Sequence, residues 1–88
     1  MTAIEFNIKY SKYLEKGHYG LAIEDEKVVK YLDQIFEGLI RIPGFQYSQI
    51  KLKYDMICFY TNLHEVLGKP GRILRNEIEK TIDILIRY

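Results

Sequence analysis

Tryptophan is absent from this chain, cysteine occurs once and proline twice. No apolar run approaches the ~18 residues that a membrane span requires. The lone Cys58 cannot close an internal disulfide, and no second thiol completes a zinc quartet or a redox pair. The chain therefore reads as built for a reducing compartment, with the cytoplasm as the expected location. Charge of one sign is also missing: 13 Lys and Arg stand against 12 Asp and Glu, a formal net charge of +1. That balance argues against a strongly basic nucleic-acid binder, an acidic tail and a polybasic membrane anchor. Residues 1 to 10 interrupt their apolar positions with Glu5, Asn7 and Lys9 and lack the run of a signal peptide.

What is present is a chain of 88 residues, 48% hydrophobic. A single domain over residues 1 to 88 is expected, which buries about 60–65% of its unfolded surface. Nearly every apolar side chain is needed for one core, and little is left to line a deep catalytic cavity. No enzymatic activity, cofactor or metal is expected.

Ile4, Phe6, Ile8 and Tyr10 alternate with polar residues, and this period of two predicts a strand over residues 3 to 10. Gly17 and Gly20 break regular structure, so residues 11 to 20 read as a loop leading to a short strand at 19 to 23. Asp25, beside Glu24 and Glu26, suits the start of a helix. Val28, Val29, Leu32, Ile35, Phe36, Leu39 and Ile40 then form a complete helical stripe, predicting a helix over 26 to 41 that Pro43 and Gly44 terminate.

Residues 45 to 61 read as a hairpin turning at Lys53, Tyr54, Asp55 and Met56. With Lys53 opposite Met56, strict alternation puts Ser48, Ile50, Leu52, Ile57, Phe59 and Thr61 on a core face. Tyr47, Gln49, Lys51, Lys53, Met56, Cys58 and Tyr60 fall on the other. Residues 62 to 71 read as a connector, followed by a helix over 71 to 87 with Leu74, Ile78, Thr81, Ile82 and Leu85 inward. Ile73, Ile84, Ile86 and Tyr88 widen that stripe. The expected fold is α+β: an antiparallel sheet of three or four strands, ordered ββαββα or βαββα, with both helices on one face.

Catalytic constellations are thin. His18 and His64 are the only histidines, 46 positions apart, and consecutive acids such as Glu24, Asp25 and Glu26 diverge in direction rather than converge on a metal. The Gly17 to Gly20 segment lacks the Lys and Ser or Thr of a phosphate-binding loop. Lys69, Arg72 and Arg75, at the start of the closing helix, form a candidate anion site.

The outer hairpin face is the richer candidate. Tyr47, Gln49, Lys51, Lys53, Met56 and Tyr60 have the composition of a protein-binding surface. The same tyrosines and lysines could stack bases and neutralise phosphates of a single strand or a nucleotide. Ile73, Ile84 and Tyr88 offer a third reading, a homo-oligomer such as a dimer formed through the last helix.

The stretch QIKLKYDMICFYTN, Gln49 to Asn62, resembles a pattern of short uncharacterised bacteriophage and prophage proteins, a Lys-x-Lys-aromatic segment, a tight turn and a strand ending in Phe-Tyr. Lys51, Lys53, Tyr54, Phe59 and Tyr60 are the matching positions. That pattern carries Gly at the turn and Arg on the second strand, where this chain has Asp55 and Cys58, so no role of the arginine carries over. It also continues into a Cys pair that is missing here, which excludes a small zinc module. The resemblance covers about a sixth of the chain. It implies a phage or mobile-element origin and carries no activity of its own to transfer. Small phage proteins of this size commonly bind and block a host component, so the hairpin face is expected to meet a host protein, in the host cytoplasm, or a second copy of the chain.

Overall fold

The computed structural model describes residues Met1–Tyr88. Its first element corrects the expected strand over residues 3 to 10, because Ala3–Lys9 is a helix, α1. Thr2 and Glu5 close a capping box: Thr2 Oγ1 accepts from the Glu5 N–H at 3.1 Å, and Glu5 Oε1 accepts from the Thr2 N–H at 2.9 Å. These bonds satisfy donors that the first turn otherwise leaves free. Ala3, Phe6 and Tyr10 also stand at helical spacing, and they are the buried ones; Ile4 and Ile8, expected inside, are each 70% exposed.

A 3₁₀ turn over Ser11–Tyr13 leads to β1, Gly20–Leu21, shorter than expected. Helix α2, Glu26–Leu39, begins as the sequence indicates, with the Asp25 carboxylate accepting from the Lys27 and Val28 N–H groups, and ends two residues before the expected boundary. Strands β2, Tyr47–Lys53, and β3, Met56–Thr61, complete a three-stranded sheet in the order β1-β2-β3. The sheet is mixed, which corrects the antiparallel expectation. β1 and β2 run parallel, with Gly20 opposite Gln49 and Leu21 opposite Ile50. The physical reason is α2, whose 14 residues carry the chain back along the sheet so that β2 enters in the direction of β1. The order βαββα is present, preceded by α1 and interrupted by a short helix, α3, Leu63–Leu67, where a connector was expected. Helix α4, Lys69–Arg87, closes the chain. No helix is long and apolar enough to cross a membrane.

Asn7 joins α1 to the sheet. Its Nδ2 donates to the Leu21 carbonyl at 2.9 Å and its Oδ1 accepts from the Leu21 N–H at 2.9 Å, so one side-chain amide pairs with the outer edge of β1 as a further strand would. Gly20 is required beside it: its φ is +77°, and a Cβ there would collide with the Asn7 amide.

Seventeen buried residues from all the larger elements form one core cluster. Phe36 sits among four rings, 4.8 Å from Phe6, 5.1 Å from Tyr10, 5.5 Å from Phe45 and 5.1 Å from Tyr47 between centroids. The tilted and edge-on arrangements suit the quadrupoles of the rings. Ile78 and Ile82 bring α4 into the same cluster, and Leu74, Leu85 and Ile86 pack against it.

Candidate functional site

The hairpin turn has two central residues with positive φ, Tyr54 at 52° and Asp55 at 62°. This is the left-handed pair that a two-residue hairpin needs for its strands to keep their twist. Lys53 stands opposite Met56, as the sequence indicates, followed by Leu52 with Ile57, Lys51 with Cys58, Ile50 with Phe59 and Gln49 with Tyr60. Gln49, Lys51, Lys53, Met56, Cys58 and Tyr60 therefore share a face, and Ile50 and Phe59 are buried on the other.

Tyr47 leaves the predicted set. The register shifts between Tyr47 and Gln49, so that Tyr47 pairs with Thr61 while Gln49 pairs with Tyr60. Ser48 is the extra residue of this bulge, and its hydroxyl donates to the Tyr60 carbonyl at 3.2 Å. One inserted residue reverses the facing of everything before it. Tyr47 consequently lies fully buried against Phe6 and Phe36, and its hydroxyl donates to Asn7 Oδ1 at 3.1 Å. Burial pushes that hydroxyl's pKa up to about 12. On the expected core face, Ser48 and Thr61 are only half-buried and Leu52 is exposed at the turn end.

This face consists of three cross-strand pairs about 14 Å long, in which Lys53, Met56 and Tyr60 are exposed and Gln49, Lys51 and Cys58 half-buried. Met56 is 70% and Tyr60 52% exposed, and Tyr54 stands 90% exposed at the tip. Lys51 and Lys53 enter no ion pair. Cys58 is half-buried beside Tyr60, and hydrogen bonding to it and its charge hold the Tyr60 hydroxyl above the ordinary phenol range.

The other candidates fall out differently. Arg72 and Arg75 line one surface hollow with Thr61, His64 and Glu65, whereas Lys69 lies outside it. Ile73 and Ile84 are both more than half exposed and share a face of α4 with Tyr88, but Glu77 and Lys80, 3.8 Å apart as an ion pair, lie between them. That apolar stripe is divided. No three His, Cys, Asp or Glu side chains converge as a metal-binding group.

A polar cluster escaped the sequence reading. Lys9 Nζ lies 2.8 Å from both the Asp33 and the Glu37 carboxylates, and the Tyr10 hydroxyl donates to Asp33 Oδ1 at 2.6 Å. Burial and the Asp33 hydrogen bond raise the Tyr10 hydroxyl above the phenol range. Burial works against the Asp33 charge, but the bonds from Lys9 and Tyr10 prevail and hold its carboxyl below the usual range. The spacing of Asp33 and Glu37, four apart on one helix face, was the available signal. Every member has its partner, so the cluster ties α1 to α2 and presents no free group to a ligand.

Comparison of the chain with protein-family models, with curated proteins and with solved structures gave no match.

Proposed function

We propose that this chain is a non-catalytic binding protein whose partner, a protein, docks on the open face of the β2–β3 hairpin through Gln49, Lys51, Lys53, Met56 and Tyr60, with Tyr54 at the rim. The reading takes α2 and α4 to pack on the opposite side of the sheet, with Glu79, Lys80, Asp83 and Arg87 of α4 bordering Met56 along the edge of β3. The observation that carries it is the concentration of large exposed apolar side chains on this face and its turn, Tyr54, Met56 and Tyr60. Single exposed apolar residues are ordinary, whereas a group of them rimmed by lysines has the composition of an interface centre. Tyr54 adds weight. A tyrosine in a left-handed turn costs roughly 1 kcal/mol that Gly or Asn would avoid, and this one makes no buried contact that offsets it.

The withdrawal of Tyr47 into the core favours a protein partner over a single nucleic-acid strand, because the strand pairs keep one ring, Tyr60, with Tyr54 beyond them at the turn, where a stacking platform aligns several. The resemblance of the hairpin to phage proteins supports a host protein as that partner, ahead of a second copy of the chain.

The test compares immobilised wild-type protein with Met56→Ala/Tyr60→Ala as bait. The expected outcome is one protein retained by the wild type and reduced at least about tenfold on the variant, whose unfolding midpoint stays unchanged. Equal retention on both baits defeats the proposal. A bound species released steeply by salt and lost on joint replacement of Lys51 and Lys53 points to nucleic acid instead.

A further inference from the structure

We propose that the hollow between the end of β3, the start of α3 and the first two turns of α4 binds a phosphate group carried by a small molecule. It encloses about 280 Å³ and is walled by Thr61, His64, Glu65, Arg72 and Arg75, with no apolar side chain among them. Arg72 and Arg75 are three residues apart on α4 and project to the same side. α3 brings His64 and Glu65 against them, and Thr61 closes β3 at the same point.

Three features give this hollow its specificity for an anion with several oxygens. Arg72 has no carboxylate within ion-pair distance. Arg75 Nε lies 3.3 Å from Glu79 Oε1 but is not aligned on it, and it is the one buried side-chain polar atom of the protein without a hydrogen-bond partner. The Nε is turned away from solvent towards Glu79, so the outer guanidinium nitrogens are what Arg75 offers to the hollow. Thr61 Oγ1 accepts from the Leu63 N–H at 3.3 Å, which leaves its own proton free to donate. Two guanidinium groups and a hydroxyl are donor types that suit the oxygens of a phosphate monoester. Glu65 on the same wall opposes a second phosphate. That disfavours a nucleic-acid strand, which needs a continuous basic track, and favours a ligand with a single phosphate.

The experiment is a titration of the ¹⁵N-labelled full chain with inorganic phosphate and with glycerol phosphate at constant ionic strength, followed by amide chemical shifts. The expected result is saturable movement centred on Thr61, His64, Arg72 and Arg75. Affinity should fall at least about tenfold in Arg72→Gln, an exposed position that leaves folding intact, and stay unchanged in Lys80→Gln. Movement that never saturates identifies an adventitious anion effect and overturns the proposal. So does equal weakening in the two variants, or a short oligonucleotide that binds more tightly than glycerol phosphate.

Discussion

Phe36→Ala is expected to cost the protein a large part of its stability. Phe36 is fully buried on α2 and is the ring that touches Phe6 and Tyr10 of the N-terminal segment, Phe45 before the hairpin and Tyr47 within it. Truncating a buried phenylalanine costs about 3–5 kcal/mol through lost transfer energy and the cavity left behind. The four edge-on contacts disappear together, which puts the expected loss at the upper end. A chain of this length has roughly 4–13 kcal/mol of total stability. Denaturant unfolding of the variant should therefore show a midpoint lowered by the equivalent of about 3–5 kcal/mol, a third or more of the total over most of that range. A loss below about 1 kcal/mol contradicts a core centred on this ring.

Gly71→Ala is the second large effect, and it separates packing from helix propensity. Gly71 is buried in the first turn of α4, where a Cβ would run into the backbone carbonyl of Leu63 on α3. The obstacle is main chain and not a movable side-chain end, so α3 and α4 must part. The expected cost is about 3 kcal/mol, after a gain of about 1 kcal/mol from alanine's better helix propensity. Gly38→Ala is the matched control: it lies within α2 with nothing near its missing Cβ, and the same replacement should stabilise the protein by about 0.5–1 kcal/mol. Thermal unfolding of the pair reads both signs, and a Gly71 variant as stable as the Gly38 variant contradicts the close α3–α4 crossing.

The elements legible in the sequence are those in which several local signals agree. α2 has a full apolar stripe, an Asp25 cap and a Pro43-Gly44 stop, and it forms within two residues of expectation. The hairpin register near the turn followed from Lys53 and Met56 alone. α1 was misread because Ile4, Phe6, Ile8 and Tyr10 fit a period of two while Phe6 and Tyr10 also fit a helix, and seven residues are too few to separate the periods. The Thr2-x-x-Glu5 box was the signal that would have decided it. α3 had a weaker sign in Leu63, Val66 and Leu67, spaced as on one helical turn.

Other features had no sequence signal to find. A strand of two residues says nothing of its direction, so the parallel pairing of β1 emerges only once α2 returns the chain. The Ser48 bulge is one residue of backbone geometry with no composition of its own, yet it moves Tyr47 from the candidate site to the core. The joining of Arg72 and Arg75 with His64 and Thr61 depends on how α3 folds back on α4, a long-range outcome that spacing along one helix does not contain.

Tyr47 and Tyr60, the tyrosines of the two hairpin strands, have opposite fates, one in the core and one kept for a partner. Denaturant unfolding of Tyr47→Ala and Tyr60→Ala, measured side by side, tests this most directly. The predicted result is a loss of about 3–5 kcal/mol for Tyr47→Ala and less than about 1 kcal/mol for Tyr60→Ala. Equal losses, or a Tyr47 variant as stable as the wild type, would return Tyr47 to the outer face and contradict both the bulge and the binding surface built on it.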